Sequence, residues 1–280
     1  MLSILRSYRA HYIFAFMFAY SFAYSLIPAI HAQSSEADIK ARLKDKPLYL
    51  RGLWRENKLD FDSNGAPIGK PNTVTFTVCG FDLKSVKLKA DKLILEGPRI
   101  GLELADNKQK RVPLDSSIHI EIAASPSGDY GPALDAVFVD GLDKLVPSMP
   151  FYWKSYAEKN FLPPSSAASP ASSSANPDSP SPGSKLKKLT SAITPPKLVS
   201  SVEPNYNSVA KDKKYSGTVL INLWVGSDGK ISRLSVRRPL GLGMDEDAMA
   251  AVARYVFTPA MENGKPVTFE LNIETAFSIQ

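Results

Sequence analysis

From Pro163 to Ser184 the sequence reads PPSSAASPASSSANPDSPSPGS, and nothing in it can build a core. Proline, serine and alanine offer little apolar surface to bury, and each proline removes a backbone donor. The run is therefore expected to be a disordered, extended linker. At full extension it spans no more than roughly 75 Å. Whatever folds in this chain of 280 residues must fold on either side of it. Four parts are expected: residues 1–32, 36–161, a linker over 163–196, and 197–280.

The first part is an export segment by pattern. MLSILRSYRAHY supplies a basic flank, and IFAFMFAYSFAYSLIPAI follows with eighteen residues free of charge. Pro28 breaks the helix, and Ala32 stands where a signal peptidase would cut. The apolar run is also nearly long enough to span a bilayer, so an uncleaved anchor with its basic end in the cytoplasm is the alternative. Either way, the residues after Ala32 are expected outside the cytoplasmic membrane. The net charge of +6 includes Arg6 and Arg9 of this segment. The remaining Lys and Arg are scattered among acids without a basic stripe, which argues against a nucleic-acid partner.

Residues 36–161 read as mostly β. TVTFTVCG, KSVKLKADKLILEG, RIGLEL and SIHIEIAA are short apolar runs separated by Gly, Pro, Asp and Asn. This spacing predicts an antiparallel meander folded into a sandwich or roll. VPSMPFYWKSYAEKNF closes the region as a short helix whose aromatics pack on the sheet. The single cysteine, Cys79, is expected to be a buried free thiol.

Few residues here point to chemistry. His119 follows Ala32 as the only histidine, on the polar side of a strand, which suits an exposed sheet residue better than a ligand. A pocket holding His119 beside Asp or Glu would be the mark of an enzyme. DFDSNG places Asp60, Asp62, Asn64 and Gly65 as a calcium loop would, but Pro71 stands where that loop needs a bidentate Glu. An Asn-Gly hairpin turn fits the same residues. No catalytic residue, metal ligand or cofactor is assigned.

The last part is the most regular. Val219, Ile221, Leu223 and Val225 alternate along a strand, Ser227-Asp228-Gly229 turns it, and KISRLSV returns. Met244, Ala248, Met249, Val252, Tyr255 and Val256 recur at helical spacing. Asp245, Glu246 and Asp247 crowd the first turn, where the helix dipole favours negative charge, and Pro259 ends the helix. From Val267 onward Phe269, Leu271, Ile273, Phe277 and Ile279 share one face. Thr268, Glu270, Asn272, Glu274 and Ser278 share the other. The fold expected for 197–280 is α+β, a β-β-α-β order with a three-stranded antiparallel sheet and one helix.

YSGTV, SDGKI, MDEDAMAAV, RYVFTPA and NGKPV stand in an order and spacing that resemble the C-terminal domain of the TonB family, energy transducers of the bacterial envelope. The resemblance covers about the last third of the chain. It implies a tethered domain whose last strand captures the TonB box of an outer-membrane TonB-dependent transporter as a further strand. The contact then falls on Val267, Thr268, Phe269, Glu270, Leu271, Asn272, Ile273 and Glu274. Pro204 and Tyr206 match the family's Pro-x-Tyr motif, although Asn207 stands where a proline commonly follows. A periplasmic location is implied, either free after cleavage near Ala32 or anchored in the inner membrane. In the family a Ser and a His on one anchor-helix face couple to an ExbB–ExbD complex; here Ser21 and Ser25 have no histidine one turn away. An ExbB–ExbD-like partner is thus expected only if the segment stays uncleaved. The alternative function is a periplasmic adaptor whose β region binds a glycan, lipid or peptide.

Overall fold

The computed structural model describes residues 34–72, 75–163 and 193–279, all within one compact unit, Ala32–Gln280. The export segment (1–32) and the linker between 164 and 192 lie outside the described residues.

The N-terminal region opens with α1 (Glu36–Leu43), capped by Ser35, whose Oγ accepts from the Asp38 N–H at 3.2 Å while Asp38 accepts from the Ser35 N–H at 3.1 Å. Then come β1 (Leu48–Leu50), β2 (Lys58–Phe61), β3 (Gly80–Phe81), β4 (Ser85–Leu88), β5 (Lys92–Glu103) and β6 (Lys110–Ala123). The region closes with α2 (Gly131–Val137), β7 (Phe138–Val139), α3 (Leu142–Leu145) and α4 (Phe151–Asn160). Its strands form one sheet in the order β2-β6-β5-β3-β1-β7, with β4 also on β5.

The expected antiparallel sandwich or roll is corrected on two counts. β2 runs parallel to β6. Helices, not a second sheet, bring Ile39, Leu43, Leu134 and Val137 into the core. β5 reflects this cover, because Leu93–Leu95 and Ile100–Leu102 are continuously buried and lack the alternation of a half-wet strand. β5 also passes straight through Gly97-Pro98, where the sequence suggested a break. A bulge between Pro98 and Ile100 absorbs the missing donor. Gly97 is needed there, since a Cβ would lie 1.9 Å from the Asp82 carbonyl. At the bulge the buried Arg99 guanidinium donates to the carbonyls of Trp54 (2.9 Å), Val78 (2.8 Å), Arg55 (3.3 Å) and Glu56, pinning the 54–56 segment. The described residues of TVTFTVCG form a buried turn in place of a strand, and only Gly80 joins the sheet. Cys79 is a buried free thiol, as expected, pushed up to about 12 by burial.

The C-terminal region comprises β8 (Ile193–Thr194), β9 (Lys197–Ser200), α5 (Ser208–Asp212), β10 (Gly217–Val225), β11 (Ile231–Arg238) and α6 (Met244–Val252). It ends with β12 (Val256–Thr258), β13 (Ala260–Glu262), β14 (Lys265–Val267) and β15 (Phe269–Phe277). The central sheet has the order β11-β10-β15 and is antiparallel throughout, with α6 between β11 and β15 in sequence. Gly229 turns the β10–β11 hairpin at φ +79°. The helix stops a turn earlier than its apolar spacing suggested. Val256–Thr258 instead pair with β9, which leaves Val256 half exposed. The last strand is also interrupted, because Val267 belongs to β14 and pairs with Ala260. A small cluster of Ile193, Ala260 and Phe269 closes that end, so Ile193, within the run expected to be linker, packs into the C-terminal region. Among the described residues no helix is long and apolar enough to cross a membrane.

Candidate functional site

β15 is the outer strand of its sheet. It pairs with β10 over nine positions, from Val225↔Phe269 to Gly217↔Phe277, and no described strand pairs with its other side. On the opposite margin α4 packs against β11. In an antiparallel pair alternate residues aim their N–H and C=O away from the partner, so β15 presents a row of such groups along its open edge.

The two faces of β15 differ as the alternation requires. Phe269, Thr275 and Phe277 are buried, with Leu271 and Ile273 half-buried between them. On the other face a polar ladder crosses the sheet. Asn222 on β10 donates from Nδ2 to Glu270 Oε1 (2.9 Å) and to Asn272 Oδ1 (2.9 Å). Arg238 on β11 donates to Glu274 at 2.8 Å. Glu270, Asn272 and Glu274 are therefore engaged within their own sheet, and what β15 offers a partner on this face is mainly backbone.

The residues expected to share a binding site are distributed along this strand. Tyr206 stands at its far end, ring edge against Phe277 (centroids 5.9 Å, 67°), with its hydroxyl donating to the Tyr215 carbonyl at 2.9 Å. Pro204 lies half-buried two residues earlier. Val267 and Thr268 are at the near end, where β14 hands over to β15. Eight residue steps separate Phe269 from Phe277, so the two ends are roughly 27 Å apart. Asn207 caps α5 by accepting from the Ala210 N–H (3.0 Å) and donates to the Leu242 carbonyl (3.1 Å) and Asp247 (2.8 Å). A proline there has no amide to make these bonds.

Sequence reasoning missed a second set of residues, at the seam between the N-terminal and C-terminal regions. Leu240–Leu242 add to the end of β5 as a short strand would: Leu104 N–H donates to Leu240 and Leu242 N–H to Leu102, both at 2.9 Å. Gly241 makes this approach possible, at φ +105°. The three acids of α6 then divide their work. Asp245, fully buried, accepts from the Leu240 and Gly241 N–H groups (2.8 and 2.7 Å). Glu246, also buried, crosses the seam: Oε1 accepts from the Phe76 N–H and the Trp153 indole N–H, each at 3.1 Å. Asp247 lies 3.5 Å from Arg55. Desolvation is the main cause that pushes the Asp245 and Glu246 carboxyls above their ordinary range. One signal was available in the sequence: Asp245 stands three, four and seven residues before Ala248, Met249 and Val252, on the apolar stripe.

His119 lies between two carboxylates, Nδ1 3.0 Å from Glu96 and Nε2 2.9 Å from Glu121. Ser85 bonds Glu96 (3.0 Å), not the imidazole, so no hydroxyl is activated by the ring. The cluster is an ionic brace between β5 and β6. Hydrogen bonds from Lys92 first and His119 second hold the Glu121 carboxyl at about 2. Its lowered value means a contribution present above the ordinary 4.5 and lost as pH falls towards 2. Glu121→Gln should flatten the acid limb of thermal stability in that window, by an amount of order 1 kcal/mol because solvent screens the group. A series of melting curves from pH 2 to 6 checks this. In the DFDSNG loop Asp62 accepts from the Asn64 (2.8 Å) and Ala66 (2.9 Å) N–H groups, so it builds the turn. Among the described residues no acid, His and Cys cluster has a metal-ligand arrangement.

Residues 202–279 match the family model described as Gram-negative bacterial TonB protein C-terminal. Protein TonB of Vibrio cholerae serotype O1 is 27% identical over 90 residues, which make up 31% of this chain. Those residues are 37% of that relative, so the match spans little more than a third of its length. The solution NMR structure of the Pseudomonas aeruginosa TonB CTD aligns at 24% identity with a TM-score of 0.27, over 32% of this chain and 90% of the other.

Proposed function

We propose that this chain, which carries a TonB C-terminal domain over residues 202–279, uses that domain to take up an extended segment of an outer-membrane transporter along β15 and so serves energised transport across the outer membrane. The observation that carries the reading is the open edge of β15, whose Glu270, Asn272 and Glu274 side chains are tied into the Asn222 and Arg238 ladder. An extended peptide satisfies such an edge by adding a strand. Each backbone hydrogen bond contributes only about 1 kcal/mol net, but several load in parallel. Val267–Glu274 are the proposed contact, and Tyr206 with Pro204 flanks its far end. The reading assigns no catalytic step or cofactor to the chain. It sets the domain in the periplasm, with the first 32 residues either removed or retained as an inner-membrane anchor that an ExbB–ExbD-like complex would have to engage.

Binding of synthetic TonB-box peptides to the full chain tests this. Saturable binding is expected, and proline at Asn272 or at Ile273 should abolish it in whichever variant replaces an outward N–H. No binding to any such peptide, or equal binding in both variants, rules the strand edge out. A second reading, an adaptor without proton-gradient coupling, is favoured by the seam, because the domain already holds a partner within its own chain. It predicts that function survives a blocked β15 edge and is lost when residues 36–161 are removed.

A further inference from the structure

A cavity of about 420 Å³ lies at the seam, walled by β6, α5 and the turn before α6. That size falls within the roughly 300–1,000 Å³ of small-molecule sites. Arg55, Thr75 and Arg99 line it from the N-terminal region, and Asn207, Lys213 and Gly243 from the C-terminal region. No residue of β15 is among its walls, so what it holds is independent of strand capture.

The most buried cation of the cavity has no counter-ion. Arg99 is 3% exposed. Its Nη1 and Nη2 are spent on four backbone carbonyls, and its Nε has no acceptor among the described residues. Burial pushes the guanidinium down to about 10. Glu56, whose Oε1 accepts from the Asn72 N–H, attracts it only through longer-range charge interaction. A buried cation without an anionic partner carries a desolvation cost that a bound anion offsets.

At Gly243 the wall is hollow. A Cβ there would lie 3.3 Å from Asn207 Nδ2, 3.7 Å from Arg55 Nη2 and 3.7 Å from Thr75 Oγ1. The missing side chain thus leaves a point on which an amide, a guanidinium and a hydroxyl converge. Asn207 already donates from Nδ2 to the Leu242 carbonyl and Asp247, so it lends a positive edge. Arg55 lies 3.5 Å from Asp247, longer than a hydrogen bond, which leaves its fork with donors to give. Lys213 is 3.6 Å from Asp115, whose carboxylate is 86% exposed. Asp115 and Asp212 are the exposed acids of the lining, whereas both arginines are withdrawn from water.

We propose that this cavity binds a small oxyanion, a phosphate or carboxylate group, with one oxygen in the Gly243 hollow and its charge met by Arg55, Arg99 and Lys213. The planar fork of Arg55 suits either group, because both accept two parallel N–H bonds. Buried Val78, Leu114 and Leu242 give the rest of the ligand an apolar wall. Since the walls come from both regions, a bound anion ties one to the other and stabilises the chain by mass action.

Inorganic phosphate and citrate are the probes. Each is titrated into the full chain at an ionic strength held constant with sodium chloride, and backbone amide NMR shifts are read. At least one probe is expected to saturate, with the largest shifts at Thr75, Asn207 and Gly243. Saturation by phosphate alone identifies a phosphate-bearing ligand, and by citrate alone a carboxylate. Saturation by both assigns the oxyanion itself. Arg55→Gln should raise the dissociation constant at least tenfold. Lys230→Gln, an 85% exposed side chain on the β10–β11 turn, should leave it unchanged. No saturation by either probe overturns the site, and so do shifts confined to other surfaces. An Arg55→Gln affinity no weaker than that of Lys230→Gln overturns it too, because the anions are then collected by net charge alone.

Discussion

Replacing Gly241 by alanine should separate thermal unfolding into two transitions and lower the first by roughly 10 °C, equivalent to a loss of about 3 kcal/mol. The new Cβ would lie 2.1 Å from the Leu102 carbonyl oxygen and 3.0 Å from the Glu103 Cα, both backbone atoms of β5 that cannot rotate away. The φ of +105° adds strain of its own. Relief requires Leu240–Leu242 to leave β5, and with them go the paired hydrogen bonds at Leu102 and Leu104. Gly264→Ala is the control. It has a similar left-handed φ, +78°, but nothing within 4 Å, so it should cost only about 1 kcal/mol. Calorimetry on the two variants distinguishes a seam that carries stability from one that merely touches; a single unchanged transition in Gly241→Ala would exclude the first.

The second large effect is expected at Trp153. Its indole is fully buried, packs edge-on against Phe76 at a centroid distance of 4.6 Å, and donates to Glu246. Trp153→Ala should cost about 3–5 kcal/mol, because the cavity forms where the two regions share one core. Trp153→Phe keeps most of the volume and loses the N–H, so about 1–2 kcal/mol is expected. Denaturant titration gives both values. Equal losses in the two variants would mean that packing contributes little and the hydrogen bond carries the effect.

Both predictions lie in a place the sequence did not reveal. An acidic first turn reads the same whether its carboxylates face water or a neighbouring region, since the helix dipole favours them either way. Glu246 becomes distinctive only once Phe76 and Trp153, 170 and 93 residues away, are brought to it. Gly241 reads as a loop glycine until β5 lies against it. Within the N-terminal region the failures share a cause. Gly97-Pro98 is a breaker locally, yet a bulge and the Asp82 carbonyl keep it inside β5. TVTFTVCG alternates like a strand, yet its described residues fold into a turn beneath Arg99, whose guanidinium takes the Val78 carbonyl. Asn207, a departure from the family motif by sequence, is explained by the amide bonds it makes to Leu242 and Asp247.

The sequence by itself determined the elements whose signal is local. The Asp228-Gly229 hairpin, the helix begun at Met244 and the alternation of β15 follow from a turn residue, a 3.6-residue stripe and a two-residue period, each legible within about ten positions. All three lie within residues 202–279, the range that matches the TonB C-terminal family model. Only the tertiary structure decided which margin of the sheet stays open, which acids are buried, and that one core runs through both regions. These properties depend on contacts between residues far apart in the chain, and burial, unlike periodicity, is a property of both partners at once.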